Sequence, residues 1–189
     1  MKVAVVYYSK TDITRQLAQA IIEGLKTQAC IEVLEHCITG KEIIAGRFQN
    51  KPLFESILSC DALIMGTPTY MGGVSAQFKA FADASSEYWS EQQWANKLAA
   101  GFTCGSALNG DQSSTLQYLT ILASQHGMYW LGLDTADGYR NDGLNRLGCQ
   151  LGLVAQSRHD QVNPVDLATA KYLGKRVSNL LFRLNKVDG

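Results

Sequence analysis

The chain has 189 residues, 46% of them hydrophobic and 18% charged, and we expect residues 1–189 to form one globular domain. Lys and Arg total 17, as do Asp and Glu, which argues against a general nucleic-acid binder and against a strongly acidic electron carrier. Five scattered cysteines without a Cys-x-x-Cys pair and three scattered histidines predict reduced thiols, no metal site and a cytoplasmic protein. No apolar run is long enough to span a membrane.

Short apolar runs alternate along the chain with segments whose apolar residues recur at helical spacing. The predicted strands are 3–8, 31–36, 62–66, 98–102 and 128–131. The predicted helices are 13–25, 53–58, 74–82, 113–125 and 164–184. Asn163 and Pro164 predict the start of the last helix, as N-cap and first helical residue. Residues 37–52 and 132–162 show no clear period, so we expect a loop or crossover and an irregular excursion there.

Five alternations of strand and helix predict an α/β fold, a three-layer doubly wound parallel sheet of five strands with helices on both faces. In such sheets ligands bind beyond the carboxyl ends of the strands, near the switch in strand order. Three segments leave predicted strands at that edge, and all are rich in Gly, Ser, Thr or Asn: 9–14, 67–73 and 103–111. Their agreement predicts a ligand site at this edge.

The first of these segments, Ser9 to Thr14, joins a buried strand to a helix N-terminus. The first N–H groups of a helix have no internal partner and carry partial positive charge, so the turn could bind an anion, helped by hydroxyl donors. Equally, Thr11 or Asp12 could simply cap the helix. The sequence has neither the dinucleotide motif Gly-x-Gly-x-x-Gly after strand one nor a Gly-x-x-x-x-Gly-Lys-Ser/Thr loop, and a mononucleotide fits better.

The ordered set of motifs resembles the flavodoxin-like family and, within it, the multimeric NAD(P)H:quinone oxidoreductases of the WrbA type. The resemblance runs over nearly the whole chain. It is carried by residues 7–14, 66–73, 81–83, 89, 102–103, 126–128 and 146–153. It implies a sheet of strand order 2-1-3-4-5 with FMN as the cofactor.

The resemblance also implies a role for each loop. The phosphate would be surrounded by Ser9, Lys10, Thr11, Asp12, Ile13 and Thr14. The flavin ring and ribityl chain would lie among Pro68, Thr69, Tyr70, Met71, Gly72, Thr103, Cys104, Gly105, Ser106, Asn109 and Gly110. The substrate cleft would be formed by Tyr70, Met71, Trp89 and His126, the last two at subunit contacts of a homodimer or homotetramer. From the residues alone, Trp89 reads as a packing residue and His126 as a helix C-terminal residue before a Gly127 cap.

Three departures from the family pattern bear on the site. Asp12 stands where the phosphate loop usually has glycine, and its carboxylate would repel a phosphate if it pointed inward. Tyr70-Met71 replaces an Arg-Phe pair at the wall of the flavin site. Residues 109–112, Asn-Gly-Asp-Gln, replace a more glycine-rich turn.

The activity implied is transfer of two electrons from NADH or NADPH through FMN to a quinone or similar acceptor, in two half-reactions. No side-chain nucleophile is required, which agrees with the absence of a recognisable catalytic triad. Two alternatives stay open: a one-electron carrier, against which the balanced charge counts, and a non-catalytic flavin-binding or sensor protein, which Asp12 would favour. One fold hosts all three. We expect no nucleic-acid partner.

Overall fold

The computed structural model describes residues 1–28, 30–136, 143–158 and 161–185. The strands are β1 (Lys2–Tyr8), β2 (Glu32–Ile38), β3 (Ile43–Ile44), β4 (Arg47–Phe48), β5 (Ala62–Tyr70), β6 (Gly73–Val74), β7 (Leu98–Gly105), β8 (Tyr129–Trp130), β9 (Leu153–Arg158) and β10 (Gln161–Val162). The helices are α1 (Ile13–Leu25), α2 (Lys51–Leu58), α3 (Ala76–Ala84), α4 (Gln112–Gln125) and α5 (Pro164–Asn185), with short 3-10 turns at Gly40–Glu42 and Ser85–Tyr88.

The main sheet has the order β2-β1-β5-β7-β9, with all five strands parallel. Counting only these strands, this is the predicted order 2-1-3-4-5, and the α/β class with three layers is confirmed. The chain moves to one side of β1 to make β2 and to the other side to make β5. The switch in strand order therefore places the carboxyl ends of β1, β5 and β7 side by side.

Each face of the sheet carries its own apolar core. Helices α1 and α5 cover one face, and α2, α3 and α4 cover the other. The contact between α1 and α5 is a backbone contact, because a Cβ on Gly24 would clash with the carbonyl of Lys171 and one on Gly174 with that of Ile21. On the opposite face an aromatic cluster fills the core: Phe48, Phe54, Phe81, Tyr88 and Trp94.

The fifth position of the sheet is filled by two segments rather than by the single predicted strand. β8 pairs with the beginning of β7, at Leu98 and Ala99, whereas β9 pairs with its later part, from Phe102 to Gly105. The prediction at 128–131 is thus correct only for the first, two-residue segment. The longer β9 and its antiparallel partner β10 lie in the predicted excursion, of which residues 137–142, 159 and 160 are outside the described part of the chain.

A buried ion pair holds the second half of that excursion against α5. Arg146 donates to both carboxylate oxygens of Asp166, at 2.7 and 2.8 Å, and the Gln156 N–H donates to the same carboxylate at 3.0 Å. Asp166 is 1% exposed, so this carboxylate depends on these donors in place of water. The two-residue hairpin strands β3 and β4 likewise lie where we expected an irregular crossover at 37–52.

Candidate functional site

The three predicted loops meet at the carboxyl edge of the sheet. They follow β1 at Tyr8, β5 at Tyr70 and β7 at Gly105, and β5 and β7 stay paired up to Pro68 and Cys104. A cavity of about 500 Å³ opens between the second and third loops. It is lined by Thr69, Met71, Gly72, Gly105, Ser106, Ala107, Gly110, Asp111 and Gln112.

The first loop ends at an unusual helix start. Asp12, at the N-cap of α1, has a left-handed backbone with φ 67°, and its side chain makes no capping hydrogen bond. The carboxylate is instead paired with Arg15, with Oδ1 and Nε 3.1 Å apart. The Arg15 N–H donates to Ser9 Oγ at 3.2 Å. The left-handed backbone explains why glycine suits this position, and the side chain of Asp12 leaves the start of α1 open to another acceptor.

Helix α4 begins in the same way at the third loop. Asp111 is its N-cap with φ 58° and makes no side-chain capping bond. Three other helices are capped in the ordinary manner, by Asn50, Ser75 and Asn163, at 2.9 to 3.2 Å from the helix N–H. The Asn163 prediction is confirmed. At two helix N-termini of this edge the N-cap side chain thus makes no hydrogen bond, and the partial positive charge of the helix start is not met by the N-cap carboxylate.

A network of threonine hydroxyls leads inward from Thr69, a half-buried residue that lines the cavity. Thr69 Oγ1 lies 2.8 Å from Thr103 Oγ1 and 2.9 Å from Thr115 Oγ1, which joins β5, β7 and α4. Cys104 of β7 is also buried, with its sulfur 3.4 Å from Thr14 Oγ1. Burial raises the pKa of the Cys104 thiol, which makes it a packing group rather than a nucleophile.

The third loop is shaped by Gln112, the first residue of α4. Its Nε2 donates to the Ala107 carbonyl at 2.7 Å, and its Oε1 accepts from the Gly110 N–H at 2.8 Å. The side chain is buried, and a Cβ on Gly105 would clash with the amide of Gln112. Sequence reasoning noted Gln112 only as part of an altered turn, because nothing in the sequence shows that a helix-start amide folds back onto the loop before it.

The mouth of the cavity carries exposed apolar side chains on a tight turn. Met71 has φ 48° and a fully exposed side chain, and Gly72 follows with φ 76°. Tyr70 beside them is 43% exposed. Burial of its inner part, with Tyr8 and Cys104 nearby, raises the pKa of the Tyr70 phenol, which therefore stays protonated at neutral pH. Such a wall suits a planar ring system more than a charged ligand.

The other predicted binding residues divide by depth. Ser9, Lys10, Thr11 and Asn109 lie on the accessible side of their loops, and Ser106 and Gly110 line the cavity. The side chains of Ile13, Thr14, Pro68, Thr103 and Cys104 are buried beneath the loops, so these residues shape the site from below. Among the described residues, no group of His, Cys, Asp and Glu could hold a metal ion.

Trp89 and His126 lie at the opposite edge of the sheet. Helix α4 begins at the cavity and its 14 residues rise about 21 Å before His126. The Gly127 carbonyl accepts from the Asn96 N–H, just ahead of the first residue of β7. Within one chain, therefore, these two residues do not share a cleft with Tyr70 and Met71. They line a second cavity of about 300 Å³ with Ala82, Ser85, Ser86, Leu122 and Gln125.

His126 itself is held on two sides. Its Nε2 lies 2.9 Å from Ser85 Oγ, and its ring packs on Trp94 at a centroid distance of 4.4 Å. The residue is 2% exposed, and burial lowers its pKa, which favours neutral imidazole. It is the C-cap of α4, and Gly127 follows with φ 67°, so the reading as a helix end is confirmed. Trp89 is 47% exposed.

The carboxyl-edge site fits FMN by its donors and its shape. The open start of α1, with the hydroxyls of Ser9 and Thr11 beside it, suits a phosphate. The cavity between the second and third loops, with the open start of α4 at its side, suits a flat polar-edged ring. A strand order of 2-1-3-4-5 with a ligand site at its switch point is flavodoxin-like.

Comparison with known proteins agrees with this class. The family described as NADPH-dependent FMN reductase matches residues 1–136, and the chain belongs to this family. Flavodoxin FldP of Pseudomonas aeruginosa is 35% identical over 188 residues, covering 95% of this chain and 96% of that protein. An NAD(P)H dehydrogenase (quinone) of Geotalea daltonii is 30% identical over 202 residues, covering 97% and 98% of the two chains.

Among solved structures, a flavodoxin, WrbA-like protein from Agrobacterium tumefaciens is 37% identical, with a TM-score of 0.74. The match covers 96% of this chain and 98% of that one. The resemblance to flavodoxin-like proteins of the WrbA type is thereby confirmed. None of the described helices is both long and apolar enough to cross a membrane.

Proposed function

We propose that this protein is an FMN-dependent oxidoreductase that passes two electrons from NAD(P)H to a quinone or similar acceptor. The observation that carries the proposal is the pair of open helix starts, at Asp12 and Asp111, on either side of the loops at the carboxyl edge. Membership of the FMN reductase family and the quinone-reducing relatives support the same activity. When bound, FMN supplies the capacity to accept a hydride from a nicotinamide and to reduce a quinone.

The first loop would hold the phosphate. The N–H groups at the start of α1, together with Ser9 and Thr11, are its donors, and Lys10 adds a positive charge nearby. Arg15 holds the carboxylate of Asp12, so the negative charge in this loop is paired. Ile13 and Thr14 contribute through their backbone, because both side chains are buried.

The second and third loops would hold the ring. Gln112 fixes the third loop, and the threonine network under the cavity fixes the separation of β5 and β7. Tyr70 and Met71 at the mouth would cover the ring and exclude water from the face at which the substrate docks. The chain supplies position and shape, and no side chain is asked to form a covalent bond.

We place Trp89 and His126 at the cleft of a second copy of the chain, in a homodimer or homotetramer. In support, each end of the molecule offers exposed apolar side chains: Tyr70 and Met71 at one, and Trp89 and Ile121 at the other. Sedimentation of the FMN-loaded protein, with and without Trp89→Ala, tests this assembly. A monomer at working concentration would contradict it.

A one-electron carrier is the second candidate, favoured by the 35% identity to Flavodoxin FldP. The visible spectrum separates the two functions. The protein is loaded with FMN, freed of excess, and mixed with NADPH without oxygen. Loss of colour in one two-electron step, reversed by benzoquinone, supports the oxidoreductase. If NADPH leaves the flavin oxidised but a chemical reductant reduces it one electron at a time, the carrier is favoured. If FMN binds but neither NADPH oxidation nor quinone reduction occurs, a sensor is favoured.

A further inference from the structure

Two buried hydrogen bonds join His126 to the end of α3. Ser85 Oγ lies 2.7 Å from the carbonyl oxygen of Ala82 and 2.9 Å from Nε2 of His126. Ser85 is 1% exposed and His126 2% exposed. Water does not reach this contact in the folded chain, so the hydrogens must be distributed among these three groups.

The direction of both bonds follows from the chemistry of the groups. A carbonyl oxygen only accepts, so the hydroxyl of Ser85 donates its one hydrogen to Ala82. The Ser85 oxygen then accepts from His126, which requires the ring hydrogen on Nε2. A neutral imidazole with hydrogen on Nε2 has a bare lone pair on Nδ1.

The lone pair on Nδ1 has no partner within the described part of the chain. Nδ1 is itself buried, so a ligand contacts it only where side chains that line this cavity move aside. The residues that share the cavity with His126 are uncharged: Ala82, Ser85, Ser86, Trp89, Leu122 and Gln125. Trp94 covers a face of the ring, and burial alone lowers the pKa of His126, with no charged neighbour contributing. At neutral pH the ring is therefore an acceptor at Nδ1 and not a proton donor there.

We propose that Ser85 is a positioning residue, which fixes the Nε2–H tautomer of His126 and thereby makes its second nitrogen a hydrogen-bond acceptor. The functional part of this proposal rests on the proposed function, in which His126 meets the substrate. There it predicts selection: His126 holds the hydroxyl of a hydroxylated quinone, or of the quinol product, and does not deliver a proton. An acceptor that lacks an O–H or N–H group gains nothing from this residue.

The tautomer is measured directly, without turnover. Long-range ¹H–¹⁵N spectra of the histidine-labelled protein, loaded with FMN where it binds, show which ring nitrogen carries hydrogen. The signal of His126 is assigned by its loss in His126→Gln. At pH 7 we expect the pattern of a neutral ring protonated at Nε2. A ring protonated at Nδ1, or an even mixture of the two forms, overturns the proposal whatever the enzyme does.

Variants then separate positioning from packing. Ser85→Ala removes the acceptor and should give a mixture of tautomers, whereas Ser85→Thr keeps the hydroxyl and should preserve the wild-type spectrum. Ser124→Ala is the matched control, because that exposed hydroxyl bonds back to the Thr120 carbonyl on its own helix. An unchanged spectrum in Ser85→Ala contradicts the proposal. If that variant does not fold, the wild-type spectrum still decides.

Kinetics with NADPH and two naphthoquinones, with and without a ring hydroxyl, test the selection. In Ser85→Ala the KM for the hydroxylated compound should rise about twofold, because an even mixture of tautomers halves the population of rings that can accept at Nδ1, with kcat and the other KM unchanged. Equal losses for both compounds would refute selection by His126. If neither quinone is reduced by the wild type, the proposed function fails, while the tautomer result stands on its own.

Discussion

The carboxylate of Asp12 is paired with the guanidinium of Arg15, three residues further along α1, at 3.1 Å. This ion pair offsets the repulsion that the carboxylate of Asp12 would otherwise exert on a bound phosphate. Both side chains are at least half exposed, so the pair contributes little to stability. The pair matters for ligand binding, since the guanidinium of Arg15 offsets a negative charge beside the start of α1.

We predict that Arg15→Gln weakens FMN binding about tenfold, because the unpaired carboxylate of Asp12 then repels the phosphate. Asp12→Gly should tighten binding several-fold, since glycine also adopts the left-handed backbone without strain. The double variant should bind nearly as well as Asp12→Gly alone. FMN dissociation constants from quenching of flavin fluorescence, at low and high salt, measure all three. Additive effects in the double variant would show that Arg15 acts independently of Asp12.

Gln112→Ala should weaken FMN binding about tenfold, because the third loop loses both amide contacts that shape it. Gln117→Ala, an exposed glutamine one and a half turns along the same helix, is the matched control. Amide hydrogen exchange at Gly110 reports on the loop without cofactor and should become faster only in the Gln112 variant. Unchanged exchange and unchanged affinity would show that the loop holds its shape by other contacts.

The sequence predicts the sheet and its loops because their signals are local. The run 62–65 is apolar without alternation, as a strand covered on both faces must be, and its pairing with β1 and β7 follows from the α/β pattern. β9 could not be predicted from the sequence, because its local signal is too short. Only Leu153, Val154 and Ala155 are apolar before Gln156, and three residues do not distinguish a strand from a loop.

The site is predictable only in part, since loop position follows from topology but side-chain direction does not. The sequence placed Asp12 at the phosphate loop, but only the fold shows that its carboxylate turns to Arg15. No sequence pattern predicts that the Gln112 side chain folds back and bonds to the backbone of the third loop. Trp89 and His126 lie at the far end of α4, so their meeting with the cleft depends on a second chain and stays a prediction.

Gly174→Ala should destabilise the fold by about 3 kcal/mol or more, because the added methyl meets the backbone of α1 and neither helix can move without disturbing the core. Gly40→Ala is the control, since nothing lies near the position of its Cβ. Urea unfolding followed by circular dichroism gives both values. A Gly174→Ala protein as stable as the control would contradict the close approach of α1 and α5.

Arg146→Met should cost about 2 to 4 kcal/mol, because it leaves the buried carboxylate of Asp166 with a single backbone donor. Arg183→Met, at an exposed position near the end of α5, removes the same charge at a surface position and should change stability by less than about 0.5 kcal/mol. Thermal unfolding of the two variants compares them. Equal stabilities would mean that the segment around Arg146 does not depend on the ion pair.

The lowered pKa of His126 predicts how stability changes with pH. Above about pH 6.5, its ordinary value, the ring is neutral in the folded and the unfolded chain and contributes no pH dependence. Below that pH His126 becomes protonated in the unfolded chain, whereas the buried ring of the folded chain stays neutral because its pKa is lower. The free energy of unfolding therefore decreases as the pH is lowered below 6.5, by up to about 1.4 kcal/mol per pH unit. The decrease ends where the pH reaches the pKa of His126 in the folded chain. His126→Gln removes this contribution, so its free energy of unfolding should depend less steeply on pH between 5 and 6.5. Urea titrations of both proteins at half-unit steps measure the two slopes, and equal slopes would show that the buried ring is protonated as readily as a free one.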